Sequence, residues 1–69
     1  MVLKITDPFG RKLRERRHKA GLTLVELARK AKVSMTTLHR WEVGEFRPSF
    51  KTMQRLARAL DASVNDLLT

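Results

Sequence analysis

The sequence predicts an all-α domain of five short helices. Three observations carry that reading. Apolar residues recur at three- and four-residue spacings along most of the chain. Residues that start or stop helices divide it at short intervals: Asp7-Pro8, Gly21, Thr23, Ser34, Gly44, Ser49 and Ser63. No run reads as a strand beyond Val2-Leu3-Lys4-Ile5, which precedes the first helix and reads as a short arm. The expected organisation is therefore an N-terminal arm, residues 1–7, followed by one compact domain, residues 8–69.

Each element has its own local cause. Asp7 can cap and Pro8 suits the first helical position, so the first helix is expected over 8–20, stopped by Gly21. Its buried stripe is Phe9, Leu13 and Ala20. Thr23-Leu24-Val25-Glu26 fits a capping box, in which threonine and glutamate satisfy each other's orphan N–H groups. The second helix then covers 24–31 and turns Leu27, Ala28 and Ala31 inward. Small Ala28 lets another helix come close. Ser34 starts a third helix over 35–43, ended by Gly44. Pro48 pushes the residues before it toward extended conformations, which makes 45–48 a loop. Ser49 caps a fourth helix over 50–60 with Phe50, Met53, Leu56, Ala57 and Leu60 as its stripe. Ser63 caps a last short helix carrying Val64, Leu67 and Leu68.

A domain of 69 residues buries only ~60% of the surface its unfolded chain exposes, so its core must be well made. It has no cysteine, hence neither a disulfide nor a thiolate-held metal to staple it. Helix packing must supply the stability, helped by a partner subunit. No long apolar run and no charged-then-apolar leader is visible, so a cytosolic setting is expected. Fifteen Lys and Arg against seven Asp and Glu give a formal charge of +8. That balance favours a polyanionic partner. Residues 11–19 hold Arg11, Lys12, Arg14, Arg16, Arg17 and Lys19 against Glu15 alone, whereas Asp61 and Asp66 stand near a C-terminal end without bases. A membrane surface is also polyanionic, but the first helix has only Phe9, Leu13 and Ala20 to insert, and a core claims those first. On charge alone, basic helices that are merely solvated are the weaker alternative.

The second and third helices are separated by only residues 32–34. Two short helices joined by so tight a turn, in a basic all-helical domain, form a helix-turn-helix arrangement. Its second helix ordinarily enters the DNA major groove. At ~100° per residue, Leu38 and Trp41 fall on one side of the third helix, while Met35, Thr36, His39 and Arg40 fall on the other. One side is an apolar anchor. The other carries groups that can read base edges, although an ordinary solvated face would look similar. The tight turn and the net charge favour readout. Arg17, beside the first helix's stripe, and Glu42, beside Leu38, are charges at the margin of a core. Such charges are tolerated when paired, so an Arg17–Glu42 ion pair is expected.

Phe9-Gly10, Leu13-Arg14, Arg17, Ala20-Gly21-Leu22-Thr23, Leu27-Ala28, Val33-Ser34, Leu38, Trp41-Glu42, Gly44, Pro48, Leu56-Ala57, Ala59-Leu60 and Leu67-Leu68 together resemble the Cro and phage-repressor type of helix-turn-helix, the XRE-like family. The resemblance spans residues 9–68. It implies a lambda-repressor-like five-helix fold with the third helix as reader. It implies base contacts from Met35, Thr36 and Arg40, with His39 in reach. It also implies phosphate contacts from Thr23, Ser34, Thr37 and the loop of Glu45, Phe46 and Arg47, chiefly through backbone N–H groups in that loop. Arginine and glutamate at the positions of Arg17 and Glu42 typically pair in this family. Three positions depart from its pattern. Leu24 replaces the usual glutamine and is expected to touch a thymine methyl, a sugar or a protein partner. Lys32 replaces a turn glycine; in a left-handed conformation it costs roughly 1–2 kcal/mol, with its ammonium able to reach phosphate. Val43 stands where asparagine is common.

The function expected is a sequence-specific regulator, a repressor, binding double-stranded DNA as a homodimer on a two-fold-related operator. The apolar C-terminal residues Leu60, Val64, Leu67 and Leu68 are the expected dimer interface, with the 2–5 run as a rival. The alternative is a protein-interaction module of antitoxin or coactivator type, favoured by Leu24, Val25 and the apolar tail. Single-strand binding needs exposed aromatic platforms, and Phe46 alone is a candidate. No enzyme, cofactor, metal or membrane partner is expected: His18 and His39 lie on different helices, and carboxylate clusters, glycine-rich phosphate loops and metal-ligand spacings are absent from the sequence.

Overall fold

The computed structural model describes residues 8–68, which form α1 (Pro8–Lys19), α2 (Leu24–Ala31), α3 (Met35–Glu42), α4 (Phe50–Ala59) and α5 (Val64–Leu68). The arm 1–7, with Asp7 and the 2–5 run, lies outside the described residues, as does Thr69.

The starts of the helices are set by side chains. Thr23 Oγ1 accepts from Glu26 N at 3.1 Å while Thr23 N donates to Glu26 Oε1 at 2.9 Å, closing the capping box on α2. Ser34 Oγ accepts from Thr37 N at 3.0 Å on α3, and Ser49 Oγ accepts from Thr52 N at 3.3 Å on α4. On α5 the reciprocal pair is Ser63 N to Asp66 Oδ2 at 3.0 Å and Asp66 N to Ser63 Oγ at 3.1 Å. The Ser63 backbone bond, then its hydroxyl, hold the Asp66 carboxyl below the usual carboxylate range, with Arg16 3.6 Å away adding to the effect.

The core follows the helical stripes. Phe9, Leu13, Leu27, Leu38, Leu56 and Leu67 are essentially sealed, with Ala28, Ala31, Trp41, Met53, Ala57 and Leu60 around them. α1 packs on α3 and α5, α2 packs on α3 and α4, and α4 packs on α5. Among the described residues no helix is long and apolar enough to cross a membrane.

Two expectations about the stripes and one about a subunit contact are corrected. α1 ends at Lys19, and Ala20 is exposed in the turn that leads to Gly21 at φ 73°. The buried stripe of α1 is continued instead by Arg17, one turn after Leu13. Phe50 is 61% exposed. It is in phase with Met53, which is buried, but as the first residue of α4 it stands beyond that cover. Leu60 and Leu67, assigned to a dimer interface, are 7% and 0% exposed within this single chain. The α1–α5 and α4–α5 contacts absorb them, leaving Val64 and Leu68 half-buried at the margin.

Lys32 caps α2 at φ 61° and ψ 47°, a left-handed conformation in which its N–H donates to Ala28 O and Arg29 O. A Cβ is unfavourable there by roughly 1–2 kcal/mol, while glycine adds about 1 kcal/mol or less of unfolded-chain entropy. Lys32→Gly is therefore expected to stabilise the domain by up to about 1 kcal/mol in a thermal or urea melt. A loss of stability would mean that the side chain earns more at the surface than its backbone strain costs.

Candidate nucleic-acid interface

The site is built on α3, whose two sides have opposite chemistry. Leu38, Trp41 and Glu42 are buried against α1 and α2. Met35, Thr36, His39 and Arg40 are exposed on the other side, and Thr37 is half-buried between them. Met35, 46% exposed, sits in the first turn of the helix, where it is free to approach a partner.

A buried ion pair fixes this helix to the rest of the domain. Arg17 Nε donates to Glu42 Oε2 at 2.7 Å and Arg17 Nη2 to Glu42 Oε1 at 3.0 Å. The two side chains are 9% and 3% exposed. Arg17 Nη1 also donates to Leu22 O at 3.0 Å, while Leu22 N donates back to Arg17 O at 3.1 Å. One guanidinium thus joins the end of α3 to α1 and to the loop that leads into the Thr23 cap. The fork geometry of arginine suits this; a lysine could supply one direction only.

Gly10 provides the second point of close approach. A Cβ built on it would lie 2.6 Å from Trp41 O and 2.7 Å from Glu42 O. The backbone of α1 therefore rests directly on the last turn of α3. Charge and spacing gave no hint of this contact; an isolated glycine inside a helical pattern was the available signal.

Arg40 is held by its neighbours as well. Its Nε donates to Glu45 Oε1 at 2.7 Å, and its guanidinium carbon lies 5.5 Å from the centre of the Phe46 ring. Phe46 meets Trp41 edge-on, with centroids 6.3 Å apart and planes at 72°. The exposed arginine is thereby stacked on an aromatic that is itself anchored to the core. With Nε occupied by the carboxylate, the Nη1 and Nη2 edge remains for an outside partner. The sequence concealed this because the pair spans a helix end, five residues apart, outside the usual three- and four-residue rule.

The loop and cap residues divide. Thr23 Oγ1 accepts from its own helix and keeps its hydroxyl proton for an outside acceptor. Ser34 and Thr37 hydroxyls are 2.9 Å apart, so one proton bridges them and the other is left to donate outward. Glu45 N donates to Arg40 O at 3.0 Å, which corrects its assignment as a backbone phosphate donor: closing the end of α3 consumes that N–H, and its carboxylate would repel a phosphate. Phe46 is 47% exposed, and Arg47 lies over Phe9, its guanidinium carbon 5.8 Å from the ring centre. Phe46 does not stand alone as an exposed aromatic, since Phe50 is more exposed. Leu24 is half-buried and packs on the core, so only part of it is presented outward. Lys32 opens onto the side between α2 and α4, in a groove that no α3 residue lines. Among the described residues no group of three or more His, Cys, Asp or Glu could hold a metal ion.

A short α2, a tight left-handed turn and an α3 anchored on one side and exposed on the other define a helix-turn-helix domain. The chain belongs to that family: the family model described as "Helix-turn-helix domain" matches residues 8–68, and the Cro and phage-repressor type, XRE-like, is the type to which its neighbours belong. An uncharacterised HTH-type transcriptional regulator of Archaeoglobus fulgidus is 38% identical over 56 residues, 81% of this chain and 80% of that protein. The restriction-modification controller protein C.AhdI of Aeromonas hydrophila has a similar structure, with a TM-score of 0.84 and 31% identity over 88% of this chain and 92% of its own. The biofilm master regulator SinR, crystallised in complex with DNA, matches with a TM-score of 0.84 and 32% identity over 88% of this chain and 98% of its own.

Proposed function

We propose that this chain is a sequence-specific regulator of transcription that binds double-stranded DNA and reads the major groove with α3. The observation that carries the reading is the exposed row Met35, Thr36, His39 and Arg40 on a helix whose opposite side is locked by Leu38, Trp41 and the Arg17–Glu42 pair. Arg40, with its Nη edge free, suits the two acceptors of guanine; Thr36 suits either base-pair type, and Met35 suits a thymine methyl. Thr23, the Ser34–Thr37 pair, the Phe46 N–H and Arg47 then flank the reading helix as phosphate contacts, which fix register without reading sequence. SinR's crystallisation with DNA, at 98% coverage of its chain, supports the same use here.

We propose further that it acts as a repressor in the cytoplasm, on a bacterial nucleoid or encoded by a phage, with activation the alternative sign of the same binding. A homodimer suits the same reading, since one module reads few base pairs and two related by symmetry read enough. With Leu60 and Leu67 committed to the core, Val64 and Leu68 remain as the C-terminal dimer contact.

Selection of bound duplexes from a random library tests the function. The expected product is a pair of inverted half-sites centred ~34–36 Å apart, with two copies bound per duplex in sedimentation. Leu68→Asp is expected to weaken the second binding event. A library from which no sequence is enriched contradicts specific recognition. One copy per duplex, unchanged by Leu68→Asp, contradicts the dimer while leaving readout by α3 in place.

A further inference from the structure

Between the C-terminal parts of α2 and α4 runs an open groove of about 400 Å³, lined by Lys30, Ala31, Lys32, Arg55, Arg58 and Ala59. Its lining is mostly apolar, yet four exposed cations ring it and no acid does. Among the described residues none of the four takes part in an ion pair. Arg55 Nη2 reaches across to Lys32 O at 3.4 Å.

Cations in the last turn of a helix complement its dipole, which accounts for Lys30 on α2 and Arg58 on α4. That explanation does not extend to Arg55, nearly a turn earlier on α4; Lys32, at the C-cap of α2, is covered by it, but its side chain stands at a left-handed position that glycine would occupy without strain. Charge and an apolar lining are thus combined at one place, on a surface separate from α3.

We infer that this groove docks an acidic amphipathic helix of another protein, with carboxylates against the four cations and a small apolar side chain against Ala59 and the aliphatic stems of those cations. A nucleic-acid backbone would satisfy the charges but offers nothing to the apolar part of the lining. A second copy of this chain is a poor occupant. Of its described acids, Glu26, Glu42, Glu45 and Asp66 are engaged in caps or ion pairs, leaving Glu15 and Asp61 on different elements. Because α3 does not line the groove, the partner can sit on the domain while α3 is occupied.

The test uses a synthetic helical peptide with glutamates flanking leucines, an equally charged polyglutamate peptide and a random-sequence duplex. Binding is followed by anisotropy and by amide shifts of the isotope-labelled protein. The amphipathic peptide is expected to shift residues 30–32 and 55–59 and to leave 35–40 unmoved. Arg55→Glu with Arg58→Glu is expected to weaken it by about tenfold or more, the scale of reversing two rim charges, with duplex affinity changed far less. Arg58→Gln, checked by circular dichroism for an intact fold, should show a smaller loss in the same direction. Equal binding of polyglutamate would reduce the groove to bulk charge and overturn the inference. So would peptide binding that the double variant leaves intact, or a duplex that shifts the same amides and loses as much affinity as the peptide. These outcomes are independent of whether α3 reads DNA.

Discussion

Alanine at either Arg17 or Glu42 is expected to cost about 3–5 kcal/mol, because each change strands a buried opposite charge. Both side chains are at least nine-tenths buried and share two hydrogen bonds, so little solvent is available to rescue the survivor. Domains are stable by roughly 0.05–0.15 kcal/mol per residue, so a loss of that size removes much of what a chain this short possesses. Arg17→Ala should be the worse of the two, since it also releases Leu22 O and with it the loop that leads to the α2 cap. The double variant should lose clearly less than the sum of the singles in urea melts. Strictly additive losses would mean that the two charges are not coupled in solution.

Gly10→Ala is the second large effect, and its sign is the informative part. In an ordinary helix interior, alanine is favoured over glycine by roughly 0.5–1 kcal/mol. Here its methyl would stand 2.6 and 2.7 Å from the carbonyl oxygens of Trp41 and Glu42, with only backbone atoms to yield. Overpacking costs typically 1–3 kcal/mol and more where the backbone must shift, so a destabilisation near or above about 3 kcal/mol is expected. The displacement would also move the end of α3 and hence Arg40. A stability equal to or above that of the original protein would mean that α1 and α3 are further apart than described.

The elements were legible because their causes are local. Thr23 with Glu26, and the serines at 34, 49 and 63, announce helix starts through bonds within four residues, and the structure places a helix after each. The Arg17–Glu42 contact could be expected because two charges at the edge of apolar stripes have few acceptable surroundings. What escaped was set by which helices cover which. Periodicity puts Phe50 in phase with Met53, but it cannot tell that Phe50, the first residue of α4, stands beyond the cover that Met53 has. The same blindness in reverse puts Leu60 and Leu67 at a subunit contact, when both are buried in the core of the single chain. In the site, residue types could be assigned to a reading side by phase alone. The tether of Glu45 to Arg40 and the consumption of the Glu45 N–H depend on how the chain turns after Gly44, at φ 87°, which residue spacing does not encode.

The central claim is that the exposed side of α3 reads base edges, and Arg40→Ala tests it most directly. Affinity of the original protein and the variant is to be measured at one fixed salt concentration, on the selected duplex and on a random one. The expected result is a loss of roughly 1–3 kcal/mol on the selected duplex, relaxed preference at one position, and a much smaller change on random sequence. An equal loss on both duplexes would make Arg40 a phosphate contact and contradict base readout by that side of the helix.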